Sequence, residues 1–174
     1  YFTDVRANTT VVTSSGANSG IPYQFYNYTL TEENVYVYHR YSQLYKIISR
    51  ANTLFAHLGD VSYAAPSARD TYEAEARFLR ALAYYWLVTE WGDVPLVLKA
   101  LESAEEVRAN NYRRPKAEVY QAIFDDLKYV TESPLADVQP ASACGKVSKS
   151  AAWALWGKAS QNAQLRLISP LSSN

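Results

Sequence analysis

Methionine is absent from this 174-residue chain, and cysteine occurs once, at Cys144. Without an initiator residue the sequence reads as a processed product or a fragment, so the lack of a leader says nothing about export. A single cysteine excludes an internal disulfide framework and any cysteine-rich zinc site. Charge of one sign is also missing: 17 basic residues stand against 17 acidic ones, with no long run of either. A nucleic-acid ligand would call for a basic stripe able to displace counterions from phosphate, so no nucleic-acid partner is expected. The longest strictly apolar run, Ala81–Val88, has eight residues and falls far short of a membrane span. What remains, 48% hydrophobic and 20% charged, is the composition of one ordinary globular domain. Aromatics are plentiful, with 15 tyrosines and 4 tryptophans.

The first thirty residues lack helical periodicity. Thr9–Gly20 is small, polar and turn-forming, and Pro22 breaks the chain again. Residues 1–31 are therefore expected as a loop region, which carries the aromatic group Tyr23, Phe25, Tyr26 and Tyr28. Val37, Tyr41, Leu44, Ile48, Ala51, Phe55 and Leu58 then recur at steps of three and four, one stripe of a helix with its cap near Thr31–Asn34. A second helix runs from about Ser67 to Trp91, with Glu73 and Arg77 spaced as an i,i+4 pair and Gly92 as its stop. Val97–Tyr112 reads as a loop. A third helix opens at Pro115 with the stripe Val119, Ile123, Leu127 and Val130. A fourth, capped by Ser148 or Ser150, turns Ala152, Leu155, Trp156, Ala159 and Ala163 inward. The helix centres are spaced by about 33, 44 and 33 residues, close to the roughly 34-residue unit of tetratricopeptide hairpins. The expected fold is all-α, made of tetratricopeptide-like antiparallel helical hairpins in an α-α superhelix. The first hairpin is expected over 32–92 and the second over 113–166.

Catalytic arrangements are not visible. His39 and His57 lie on one face of the first long helix, roughly five turns apart, and cannot share a metal. Asp125 and Asp126 are adjacent and point about 100° apart, which suits a solvated face better than a pair of glycosidase carboxylates. No GxGxxG, P-loop or GxSxG occurs, so no catalytic residue, metal or cofactor is assigned. Tyr41, Trp86 and Trp153 fall on helical stripes and are expected in the core. Tyr23, Tyr26 and Tyr28, with the nearby Asp4, are the candidate ligand-binding residues. Flat rings can cover the apolar C–H face of a sugar while carboxylates and amides take its hydroxyls. The alternative at these positions is that the rings hold the loop onto the helices.

The stretch EARFLRALAYYWLVTEWGDVPL, residues 75–96, closely resembles the hallmark of the SusD/RagB family. Two further segments agree in order and distance. YKIISRAN at 45–52 is similar to the family's YxxIxxAN helix, and RPKAEVYQAIFDDL at 114–127 followed by GKVSKSAA at 145–152 is similar to its EVYxxIxxDL…GRVTKxAA segment. The resemblance implies an outer-membrane, surface-exposed lipoprotein that sits on a TonB-dependent transporter and captures glycans without catalysis. It implies a fold of tetratricopeptide hairpins with a variable ligand face. In that frame Glu75, Arg77 and Arg80 are expected to make polar contacts between helices, and Gly92, Asp93 and Pro95 to shape a turn. The chain departs from the family in length and in lacking an N-terminal lipidated cysteine, which points to a truncated SusD-like fold over 1–174. The alternative function is a tetratricopeptide-type protein or peptide interaction module. An apolar edge where a further hairpin would stack predicts self-association or poor solubility. A sharp, monomeric thermal unfolding transition would contradict that expectation.

Overall fold

Asn34 starts the first long helix in a computed structural model that describes residues 23–143 and 145–168. Its Oδ1 accepts the backbone N–H groups of Tyr36 and Val37 at 3.0 and 3.4 Å, satisfying donors that the first helical turn leaves free. Its Nδ2 donates to Gln24 Oε1 at 2.8 Å. Gln24 lies in α1, Tyr23–Tyr26, one helical turn within the stretch expected as a loop. A single turn is too short to show the 3.6-residue period, so the sequence pattern could not reveal it. The long helix, α2, runs Val35–His57 and spans the boundary between two compact units, residues 1–43 and 44–174.

In the second unit, α3 covers Pro66–Trp91 and ends at Gly92, whose φ of 75° suits a residue without Cβ. The chain then forms β1, Val94–Pro95, which pairs antiparallel with β2, Arg113–Arg114, in the register Val94↔Arg114 and Pro95↔Arg113. Two-residue strands carry no alternation, so this bridge is silent in the sequence. Between the strands lies α4, Ala104–Asn110, where a loop was expected. Ser103 caps it by accepting the Glu106 N–H at 3.1 Å, and Glu105 and Glu106 favour its N-terminal dipole. The cue was present as a serine followed three residues later by glutamate. Next comes α5, Lys116–Glu132, whose first N–H donates to Asp93 Oδ1 at 2.9 Å. A 3₁₀ turn at Ala141–Ala143 precedes α6, Lys149–Ile168. Ser148 caps α6 through the Ala151 N–H, while Ser150 hydroxyl donates instead to the Asp137 carbonyl.

The fold among the described residues is all-α and tetratricopeptide-like, as expected. Its tightest packing is α3 on α5, with α6 laid along α5 and touching α3. Small residues make that approach possible, since Ala74, Ala81 and Ala83 on α3 and Ala122 on α5 are buried. The predicted stripe Val119, Ile123, Leu127 and Val130 is fully buried. On α6, Ala152, Leu155 and Ala159 are buried and Trp156 is half-buried. Trp153 does not join the core. It is 57% exposed, one step off the Ala152–Leu155–Ala159 line and so turned away from α5. Tyr41 and Trp86 are half-buried rather than enclosed.

A polar cluster crosses this apolar interior. Arg80 on α3 forms a bidentate pair with Asp126 on α5, its Nε at 2.8 Å and Nη2 at 2.7 Å from the two carboxylate oxygens. Its Nη1 donates to Asn52 Oδ1 at 2.6 Å and to the Leu98 carbonyl at 3.1 Å. Asn52 in turn donates to the carbonyls of Val97 and Lys99. Arg77 reaches Asp126 at 3.0 Å and Glu73 at 2.7 Å, and both guanidinium groups lie over the Phe55 ring. Burial pulls the Arg77 pKa down, but the Glu73 hydrogen bond and the charges of Asp126 and Glu73 outweigh it and leave it above the ordinary arginine value. Burial and the Glu73 carboxylate push the neighbouring Tyr129 phenol up. Asp126, expected on a solvated face, is only 2% exposed. Of the three family-like residues expected to bridge helices, Arg77 and Arg80 do so and Glu75 makes no such bond.

Adjacent aspartates make a clean comparison. Asp126→Ala leaves buried guanidinium charge uncompensated and is expected to destabilise by about 3–5 kcal/mol. Asp125→Ala, at an exposed position, should change stability by no more than about 0.5 kcal/mol. Urea denaturation midpoints of the two variants decide it, and equal effects would contradict the buried role of Asp126.

Candidate functional site

The predicted ligand residues fall in the first unit, around α1. Tyr23 and Tyr26 stand three residues apart on this helical turn and so share a side of it. Their ring centroids are 5.6 Å apart, with the planes tilted by 34°, and both side chains are half-buried. Phe25 points the other way and is fully buried, so one member of the aromatic group is core. Tyr28 follows in the left-handed region, at φ 59°, with 67% of its surface exposed. A bulky residue there is strained, because its Cβ crowds the following carbonyl at a cost of about 1–2 kcal/mol. Thr29 supports the turn, its hydroxyl hydrogen-bonded to the Asn27 side-chain amide at 2.7 Å. Asp4, the fourth candidate, lies outside the described residues.

The structure thus brings Tyr23 and Tyr26 together and holds Tyr28 outward two residues on. Tyr38 was missed by the sequence reading. It is 66% exposed on the first turn of α2, with its ring 5.8 Å from that of His39. The inner stripe contained the signal, since Tyr38 sits one residue, about 100°, away from Val37. Groups of three or more histidine, cysteine, aspartate or glutamate side chains able to hold a metal are absent among the described residues. Rings with exposed faces beside amides and hydroxyls can hold an uncharged, hydroxyl-rich ligand by stacking and hydrogen bonds.

The SusD-like family model, described as "Starch-binding associating with outer membrane", matches residues 2–159. The chain belongs to the SusD-like family. SusD-like protein P2 of Formosa agariphila is 34% identical over 106 residues, which cover 61% of this chain and 21% of that protein. SusD-like protein P25 of the same organism is 30% identical over 133 residues, 72% of this chain and 25% of that one. A solved laminarin-binding SusD-like protein superposes with a TM-score of 0.78 at 27% identity, covering 90% of this chain and 33% of its own. The chain therefore spans about a quarter of the length of the curated relatives it matches. The SusD-like segments noted in the sequence turn out to be the scaffold: Tyr45 and Asn52 from the first and Arg80 from the second bond to the main chain of residues 95–99, while Arg77 and Arg80 both hold Asp126 from the third. None of the tyrosines of the candidate site belongs to those segments, so membership of the SusD-like family does not assign the ligand residues.

The strain at Tyr28 gives an expected trade-off. Tyr28→Gly relieves the left-handed backbone and should raise stability by about 1 kcal/mol, while weakening any ligand that stacks on the ring. Thermal unfolding read beside glycan titration tests this, and a variant that loses stability would contradict the strain.

Proposed function

We propose that this SusD-like chain is part of a non-catalytic cell-surface protein that binds polysaccharide or oligosaccharide and delivers it to a TonB-dependent outer-membrane transporter. The family's description as starch-binding and associated with the outer membrane supports the setting. The laminarin-binding protein of similar fold makes β-glucan the first polysaccharide to try. The observation that carries the reading at residue level is the aromatic group of the first unit: Tyr23 against Tyr26, with Tyr28 held outward in a strained conformation. Asp4, nearby in the sequence, is proposed as a further hydroxyl acceptor. Membrane attachment in this reading is through a lipid anchor on the surface-exposed protein, not through a spanning helix. Within the described residues no helix is long and apolar enough to cross a membrane.

Capture works by contact alone. Rings cover the apolar face of successive sugar units, and side-chain oxygens and amides replace water on the hydroxyls. No bond in the glycan is made or broken, so release to the transporter requires only that these contacts be individually weak.

Calorimetric titration with laminarin, xyloglucan and starch is the test, with the Tyr23→Ala/Tyr26→Ala/Tyr28→Ala variant run alongside. Binding by the native chain that falls by at least about tenfold in the variant is the expected result, since each lost aromatic contact is worth about 0.5–1.5 kcal/mol. Binding that survives the triple substitution would move the site elsewhere. Absence of binding by folded protein would overturn the reading for this chain.

A further inference from the structure

A cleft of about 350 Å³ opens between the N-terminal half of α3 and the 133–148 connection from α5 to α6. It lies wholly within the second unit and shares no residue with the tyrosines of the first. Its size falls in the range of small-molecule sites, about 300–1,000 Å³. Tyr72 and Glu75 line it from α3, three residues apart and so side by side. Tyr72 is 53% exposed, and its ring is braced by that of Tyr63 at 6.2 Å. Gln139 and Lys146 line the opposite wall, and buried Leu135 forms part of the floor.

The polar groups of this cleft are largely uncommitted. Glu73, two residues before Glu75, is taken by Arg77, whereas Glu75 has no ion pair or hydrogen bond among the described residues. Gln139 is oriented by its Nε2, which donates to the Val147 carbonyl at 2.6 Å and leaves Oε1 as an acceptor. The Lys146 backbone N–H is tied to the Ala143 carbonyl, while its ammonium makes no ion pair among the described residues. One carboxylate and one ammonium cancel, so an anion would meet Glu75 and a cation would meet Lys146. An uncharged ligand is favoured instead, with one apolar face for Tyr72 and several hydroxyls for the carboxylate, amide and ammonium.

We propose that this cleft binds a neutral hexose unit of an oligosaccharide, as a second glycan contact. The inference rests on the glycan reading of the protein but on different residues.

Backbone amide shifts of the isotope-labelled 174-residue chain, titrated separately with laminarihexaose, cellohexaose and maltohexaose, test it. Saturable shifts at Thr71, Tyr72, Glu75, Gln139 and Lys146 are expected with at least one sugar. They should weaken by about tenfold in Tyr72→Ala, the loss of one aromatic face, fall also in Glu75→Gln, and persist in the Tyr23/Tyr26/Tyr28 triple alanine variant. Cleft shifts that are absent with all three sugars, or unchanged in both cleft variants, overturn the proposal. Shifts confined to residues 23–28 reject the cleft and uphold the N-terminal site. Shifts confined to the cleft reject the tyrosine site and uphold the cleft, and shifts at neither reject both.

Discussion

The second unit is organised around one guanidinium group. Arg80 projects from α3 and is buried where the end of α2, α5 and the segment after β1 converge, and it bonds to all three. A buried arginine is tolerable only if its donors are met and its charge is balanced. Asp126 supplies the charge and two acceptors, while Asn52 and the Leu98 carbonyl meet the remaining direction. Each partner is then restricted in turn. Asn52 cannot turn away without freeing two backbone carbonyls, at Val97 and Lys99, and Asp126 also serves Arg77. Such a network gives directional specificity to helices whose apolar faces alone would allow sliding.

The extended segment 94–99 benefits most from this arrangement. It has only a two-residue antiparallel bridge of its own, yet Tyr45 donates to the Pro95 carbonyl, and Tyr84 both donates to and accepts from Val97. An irregular stretch thereby satisfies its main-chain polar groups with side chains from two helices. This accounts for the chemistry of the segments shared with the SusD-like family: they carry the residues that fasten a non-repetitive strand onto a helical frame. It also explains why those segments identify the fold and remain silent about the ligand.

Sequence pattern revealed the long helices because their apolar residues recur over several turns. The stripe from Val119 to Val130 and the stop at Gly92 follow directly from that period and from backbone chemistry. Shorter elements escaped for the opposite reason, α1 and the β1–β2 bridge being too brief to establish any period. Asp126 was misjudged because a charged residue next to Asp125 reads as surface, and only the arrival of Arg80 from a helix 46 positions earlier makes its burial affordable. Trp153 was misjudged because a large ring on a helix suggests a core. At the candidate site the aromatic cluster was legible from composition, but the left-handed backbone at Tyr28 and the exposure of Tyr38 depend on turns that composition does not encode.

Asp93, just past the end of α3, holds the first N–H of α5 across 23 positions of chain, and the adjoining strands close the same gap. The intervening excursion through α4 is therefore tied off at its base like a purse mouth. Loop-closure entropy grows only slowly with length, so such a tied segment can lengthen or shrink at small thermodynamic penalty. The helical frame and the excursion can in consequence diverge at different rates. Lengthening or shortening the chain between Leu101 and Asn111 is therefore expected to leave the helices in place.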